Sequence, residues 1–191
     1  MLHHKTSMIS YMPTPRQTRS TRPPPNRHSR SQLLEACIDS LHALNFQIYA
    51  SYAAFKRAEI VSPRYVIRNF PHASPYGTPG KKEGLAVSAE AAPGYFQSDD
   101  DGVRVVVEAK FQDSSGSVDE KIPFIWEGFL DSPILNWVVV FDGRYWKTGR
   151  GREAVKWLKA RADKGLPGRQ MHVVNREGFR ELVRAAWGRP S

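Results

Sequence analysis

Val103-Arg-Val-Val-Val-Glu-Ala-Lys-Phe-Gln112 has the pattern of a β-strand with two different faces. Successive side chains of a strand point to opposite faces, so the odd-numbered residues form one apolar face. The even-numbered face carries Val106 and ends in three polar residues, Glu108, Lys110 and Gln112. Glu and Lys are rarely buried without partners. Two interpretations follow: an edge strand whose last residues are solvated, or a functional site at the end of a central strand.

The composition predicts a globular protein with a true core. The chain has 191 residues, of which 40% are hydrophobic, and this suits one domain of ordinary size. Its single cysteine, Cys37, excludes an intramolecular disulfide and a multi-cysteine zinc site. The sequence has no apolar run of membrane-spanning length and no apolar block of a secretory signal near its start. We therefore expect a cytoplasmic protein.

The positive charge is concentrated at the start of the chain. The formal net charge is +9, and residues 1–31 hold six Lys or Arg residues and no acid. This Pro- and Arg-rich stretch is predicted to be a disordered basic arm, and residues 32–191 to form the folded domain. Such a charge balance favours a polyanionic partner, with nucleic acid as the first choice. The arm could bind phosphates non-specifically, or it could be a dispensable tail.

Hydrophobic spacing predicts a mixed α/β domain. A helix is expected over 32–46, capped by Ser31, and residues 47–57 fit either a helix or a strand. Three strands are expected next, over 64–69, 85–87 and 103–112, followed by a helix from about 118 to 130 that begins with a Ser117–Glu120 capping box. A strand over 135–141 and a turn at Asp142-Gly143 come after it, with Tyr145-Trp146 returning as a short strand. The chain is then expected to form a helix (152–163), a strand (171–174) and a last helix capped by Asn175. Alternating strands and helices after an antiparallel meander imply a mixed central sheet flanked by helices.

A second carboxylate is expected beside Glu108. If strand 83–89 pairs antiparallel with 103–110 about a connection near residue 95 or 96, Glu83 lies opposite Glu108. Directly opposed side chains have Cβ atoms about 5 Å apart. Two carboxylates this close repel unless a cation lies between them, and Mg²⁺ or Mn²⁺ prefers oxygen ligands.

This pair suggests phosphodiester chemistry. A bound metal ion can hold a scissile phosphate and lower the pKa of a bound water. Lys110, two residues after Glu108, is suited to orient that water or to stabilise charge on the phosphorane, and Gln112 to position the same phosphate. Glu35, on the first helix, is a candidate for a supporting carboxylate.

These residues resemble the PD-(D/E)XK nuclease superfamily, the restriction-endonuclease-like fold. The matching features are the Glu35-bearing helix, the acid Glu83 opening the second strand, the Glu108-Ala-Lys110 triplet and the segment 110–124 that follows it. Most members have Asp where this chain has Glu83. The resemblance covers residues 32–185 and implies an αβββαβ core. It also implies a divalent-metal-dependent deoxyribonuclease, often a homodimer, acting on double-stranded or branched DNA.

Other interpretations stay open. The fold could carry a catalytically silent nucleic-acid-binding or assembly protein, or a nuclease for RNA or branched DNA. A group of cations in the last third of the chain could either position phosphates or form a solvated helix face: Lys156, Lys159, Arg161, Lys164 and Arg169. The five Trp residues lie on separate elements and are expected in the core. Gly149-Arg-Gly151 is not followed by Lys-Ser/Thr, so it is not a nucleotide-binding loop.

Overall fold

The computed structural model of the protein describes residues 30–58, 63–70, 84–89, 95–96, 104–115 and 119–188. The predicted arm lies outside these ranges as far as residue 29, and the first helix begins at Arg30. Ser31 therefore lies inside that helix, and its predicted role as a cap is wrong. In the described ranges, no helix combines the length and the apolar character needed to cross a bilayer.

The described residues form a mixed six-stranded sheet with helices on both faces, as predicted. The elements are α1 (Arg30–His42), β1 (Gln47–Tyr49), α2 (Tyr52–Arg57), β2 (Tyr65–Phe70), β3 (Gly84–Ser88), β4 (Arg104–Phe111), α3 (Ile122–Asp131), β5 (Asn136–Asp142), α4 (Gly149–Lys164), β6 (Gln170–Asn175) and α5 (Arg176–Trp187). The strands lie in chain order across the sheet. β2, β3 and β4 run antiparallel, whereas β1 is parallel to β2 and β4, β5 and β6 are mutually parallel.

Each face of the sheet packs against its own pair of helices. Alternate residues of β4 divide between two cores, with Val105 and Val107 in one and Val106 in the other. The first core lies under α1 and α5, and we call this side the α1 face. The second lies under α3 and α4, and we call it the α3 face. β4 is buried on both faces, so its position in the sheet is fixed by hydrophobic packing.

The C-terminal helix closes the core on the α1 face. Asn175 caps α5, as predicted, because its Oδ1 accepts a hydrogen bond of 2.8 Å from the Gly178 amide. The ring of Trp187, at the other end of α5, lies 5.4 Å from Phe46 and 5.1 Å from Phe96. Residues far apart in the chain thus share one aromatic cluster.

Several local predictions are corrected. Residues 47–57 contain both a strand, β1, and a helix, α2. The first helix ends at His42 and is followed by Asn45 in a left-handed conformation. Tyr145 and Trp146 lie in a short 3-10 helix, Tyr145–Lys147, rather than a strand. A 3-10 turn, Asp119–Lys121, precedes α3, and Ser117 of the predicted capping box lies outside the described residues.

The turn after β5 depends on Gly143, as the Asp-Gly pair predicts. Gly143 has a φ of +106°, and a Cβ there would lie 2.2 Å from the Gln112 carbonyl oxygen. This contact brings the end of β5 against the end of β4. The Gln112 amide donates to the Asp142 carbonyl at 3.0 Å, which locks the two strand ends together.

We predict that Gly143→Ala destabilises the protein by more than about 2 kcal/mol, since it adds a backbone clash to an unfavourable φ. Gly149→Ala is the matched control, because Gly149 has a φ of +51° and no atoms within 4 Å of its added Cβ. That variant should lose about 1 kcal/mol from φ alone. Urea denaturation measures both, and equal losses would contradict the role of the contact with Gln112.

We also predict a pH-dependent contribution from His172 on β6. Burial lowers the pKa of this imidazole, the hydrogen bond to the Tyr95 carbonyl opposes that shift, and Lys159 adds to it. Below its ordinary pKa, the unfolded state therefore binds more protons than the folded state, and stability falls as the pH falls. Relative to wild type, His172→Gln should lose less stability between about pH 7.5 and 5.5. Parallel pH slopes in denaturation curves would contradict this assignment.

Candidate active site

The polar end of β4 faces α3. Glu108 and Lys110 alternate with Val107 and Ala109, which lie in the core on the α1 face. They share the face of Val106, which lies in the core under α3. The predicted division of this strand into an apolar and a partly polar face is therefore confirmed.

β4 is a central strand, so the edge-strand interpretation of its polar residues is wrong. It lies between β3 and β5, and Glu108 and Lys110 pair with Val139 and Phe141 of β5. Glu108 is only 8% exposed, in a region where carboxylates are uncommon. Solvation at a sheet edge therefore does not account for a carboxylate at this position.

Glu108 and Lys110 form an ion pair. Lys110 Nζ contacts Glu108 Oε1, and the two side chains are only 15% and 11% exposed. A buried carboxylate carries a large desolvation cost, which an adjacent ammonium reduces. The pair therefore holds a carboxylate and an amine side by side at the end of a central strand. The carboxylate can bind a cation, and the ammonium can bind an anion.

The predicted register of the strand before β4 is wrong by one residue. Leu85 lies opposite Val107, and Ala86 lies opposite Val106. Continued by one step, this register places Gly84 opposite Glu108, not residue 83. A shift of one residue exchanges the faces of a strand. Glu83 itself lies outside the described residues.

Glu35 lies on the other side of the sheet from Glu108. It is on α1, between buried residues that pack into the core on the α1 face. Its carboxylate pairs with the guanidinium of Arg68 on β2. Arg68 lies opposite Leu85, a member of the same core. Opposed residues share a face, so the structure does not bring Glu35 together with Glu108.

Gln112 follows the pair at the end of β4. Its backbone is held on both sides, by the Asp142 carbonyl and by the Tyr145 amide, which donates to the Gln112 carbonyl at 3.1 Å. Its side-chain Nε2 donates to the Ser114 carbonyl at 2.7 Å. The structure thus fixes the Gln112 backbone and turns its side chain toward the loop that follows β4.

The described residues contain no group of three or more Asp, Glu, His or Cys side chains arranged for a metal ion. Among them, Glu108 contributes one carboxylate at this end of β4. Carboxylate oxygen is the donor type that Mg²⁺ and Mn²⁺ prefer, so its chemistry fits either ion.

Residues 94–187 match a family model described as a PD-(D/E)XK nuclease superfamily domain. The chain contains a PD-(D/E)XK domain. The predicted family is therefore confirmed, and the match includes Glu108, Lys110 and Gln112. It starts after Glu83 and leaves out α1 with Glu35. No curated protein and no solved structure matched the chain.

Some of the predicted phosphate contacts of the PD-(D/E)XK domain have other partners. Arg169 Nη1 donates to the carbonyls of Phe129 and Ser132 at 2.7 and 2.8 Å, so it closes the end of α3. On α4, Lys156 pairs with Glu153, and Lys159 pairs with Asp163. These α4 pairs are exposed and contribute little to stability.

An aromatic cavity on the α3 face was not predicted from the sequence. This cavity, of about 540 Å³, lies between α2, β2, β3 and residues 132–134. Tyr52, Phe55, Tyr65 and Phe70 contribute its aromatic walls. The available signal was the spacing of three between aromatic residues at positions 46, 49, 52 and 55.

A second missed feature is a basic cavity at the carboxyl ends of β4 and β5. It has a volume of about 330 Å³ and is lined by Arg144, Lys147 and Arg176 together with Asp113 and Asp142. The Arg144 amide donates to Asp113 Oδ1 at 3.0 Å. The sequence held two signals for this cavity. Arg144 directly follows the turn after β5, and Arg176 directly follows the end of β6.

We predict strong energetic coupling between Glu108 and Lys110. Lys110→Met should cost about 3 kcal/mol, since it leaves a nearly buried carboxylate without its ammonium. Adding Glu108→Gln should restore part of that loss, because the remaining amide is neutral. A double-mutant cycle from urea denaturation measures the coupling. The exposed pair Arg180–Glu177 is the control, for which less than about 1 kcal/mol is expected. Equal coupling in the two pairs would contradict the assignment.

Proposed function

We propose that the protein is a divalent-metal-dependent nuclease that hydrolyses DNA phosphodiester bonds. The observation that carries this proposal is the nearly buried Glu108–Lys110 pair at the end of a central strand, within a PD-(D/E)XK nuclease superfamily domain. A buried ion pair often costs stability relative to apolar residues, so its presence at such a position favours a functional role.

Glu108 is proposed as a ligand of Mg²⁺ or Mn²⁺, together with Glu83. Glu83 directly precedes Gly84, whose backbone lies opposite Glu108 when the observed register is continued. Consecutive Cα atoms are about 3.8 Å apart, so Glu83 is one residue away from the position opposite Glu108. When bound, the metal ion would polarise the phosphate and lower the pKa of a water molecule.

Lys110 is proposed as the catalytic cation. Hydrolysis adds an oxygen to the phosphorus and increases the negative charge on the phosphoryl oxygens, which a fixed ammonium stabilises. Glu108 holds Lys110 in place before the substrate arrives, so little reorganisation is needed. Gln112, which directly follows β4, is proposed to contact the same phosphate. Glu35 is assigned to orient Arg68 on the opposite face.

Binding of DNA is proposed to use the basic parts of the chain. The helix α4 carries six cations and two acids, and Arg161 lies over the ring of Trp157 at 4.1 Å. The basic cavity at Arg144, Lys147 and Arg176 and the six cations of residues 1–31 are further candidates for phosphate contacts. A homodimer, expected from the resemblance to restriction-type members, and a cytoplasmic location complete the proposal.

Cleavage should be lost when Lys110 is replaced by alanine, while binding of DNA is retained. We expect a fall of at least about a hundredfold in the rate with Mg²⁺ or Mn²⁺, as for loss of one group that stabilises a charged transition state. Supercoiled, linear, branched and single-stranded DNA are compared as substrates. Arg180→Ala, which removes the cation of an exposed ion pair on α5, is the control and should cleave normally. Cleavage by Lys110→Ala at the wild-type rate would refute the proposal.

The alternative is a catalytically silent nucleic-acid-binding or assembly protein on the same fold. It is favoured by the finding that the described residues hold no group of three metal-ligating side chains. Calorimetry with Mn²⁺ separates the two functions. The nuclease should bind Mn²⁺, and Glu108→Gln should weaken that binding by about tenfold or more. Absence of heat from Mn²⁺ in the wild-type protein would favour the silent function.

A further inference from the structure

The aromatic cavity on the α3 face has the chemistry of a stacking site. The rings of Phe55 and Tyr65 are stacked with centroids 4.8 Å apart, and Tyr52 stacks on Phe55 at 6.4 Å. Phe70 meets Tyr52 edge-on at 5.5 Å. Tyr52 remains 38% exposed although aromatic rings gain by burial, so part of this side chain can contact a ligand.

The cavity lies on the same face of the sheet as the candidate catalytic pair. Ala86, on its floor, is directly opposite Val106 of β4. Glu108 follows two residues later on the same face, about 7 Å further along the strand. Phe70, at the near end of the cavity, pairs with Gly84, the position that continues the register toward Glu108. The cavity and Glu108 are therefore close to each other on this face. A base in the cavity and a phosphate at Glu108 could belong to the same DNA strand only if they were close neighbours in it.

The rim of the cavity is basic. Arg104 contributes to its lining, and Lys56 Nζ lies 5.7 Å from the ring of Tyr52. The last turn of α2 carries Arg57 as well as Lys56. An apolar aromatic pocket with cations at its border suits a ligand with a flat face and an anionic backbone. A nucleotide has both, whereas an apolar peptide segment lacks the negative charge.

We propose that this cavity binds an unpaired nucleobase next to the scissile phosphate, so that the enzyme acts on single-stranded or locally distorted DNA. The volume of about 540 Å³ is in the range of small-ligand pockets and admits a base with its sugar. A base within a regular duplex is stacked and cannot enter. This inference rests on the proposed nuclease function and specifies its substrate.

The test measures binding of the full-length protein in EDTA, where no cleavage occurs, by fluorescence anisotropy at one fixed salt concentration. The two probes are a labelled duplex with a single-nucleotide bulge and the matched duplex without it. Wild type should bind the bulged duplex roughly tenfold more tightly, as expected for one base stacked on an aromatic ring. Tyr52→Leu should abolish this preference, since it keeps apolar volume but removes the ring.

Two further variants separate stacking from damage to the fold. Tyr52→Phe keeps the ring and should keep the preference. Phe124→Ala removes another exposed aromatic side chain, 45% exposed and outside the cavity, and should also keep it. Equal binding of the two probes by wild type, or a preference that survives in Tyr52→Leu, would overturn the inference.

A parallel cleavage assay in Mn²⁺ distinguishes this inference from the proposed function. Cleavage that depends on Lys110 but shows no preference for unpaired bases would leave the nuclease intact and reject the base pocket. A preference lost in Tyr52→Leu, without cleavage of any DNA, would support the base pocket in a silent binding protein. Absence of all DNA binding would reject both.

Discussion

The burial of β4 on both faces and along both edges is the constraint on which the structure depends. β4 pairs antiparallel with β3 and parallel with β5, and its valines contribute to both hydrophobic cores. A strand enclosed in this way cannot slide without exposing one set of valines and burying polar groups. The charged pair therefore projects from a strand that the packing of both cores holds in place. Rigid placement of charge is what a hydrolytic site requires, because the protein must not reorganise during the reaction.

The two faces of the sheet have separate roles. The α1 face holds the larger core and the Glu35–Arg68 pair, while the α3 face carries Glu108, Lys110 and the aromatic cavity. Burial also raises the pKa of Cys37 on the α1 face to about 12, so its thiol stays protonated and serves packing. The proposed catalytic pair thus lies on one side of the sheet, and the larger hydrophobic core lies on the other.

The sequence predicted β4, its two faces and the family, because alternation of apolar residues and the Glu-x-Lys spacing are local patterns. It did not predict the register of β3 against β4. That register is set by contacts across a connection of some fifteen residues, and a one-residue shift changes no local pattern. The placement of Glu35 failed for a related reason: helical spacing shows which residues share a face, but not which side of the sheet receives the helix. The aromatic cavity brings together residues of α2, β2, β3 and β4 with residues 132–134, so no single stretch of sequence predicts it.

The position of Trp187 has a consequence for the order in which the chain acquires its structure during synthesis. Its ring completes a cluster with Phe46, more than a hundred residues upstream, and with Phe96. The strands occupy the sheet in the order of translation, so each can add to its predecessor as it leaves the ribosome. The part of the α1 face that α5 covers nevertheless stays open to solvent until the last helix emerges. A nascent chain would therefore complete the layer that bears Glu108 and Lys110 before the layer that supports it.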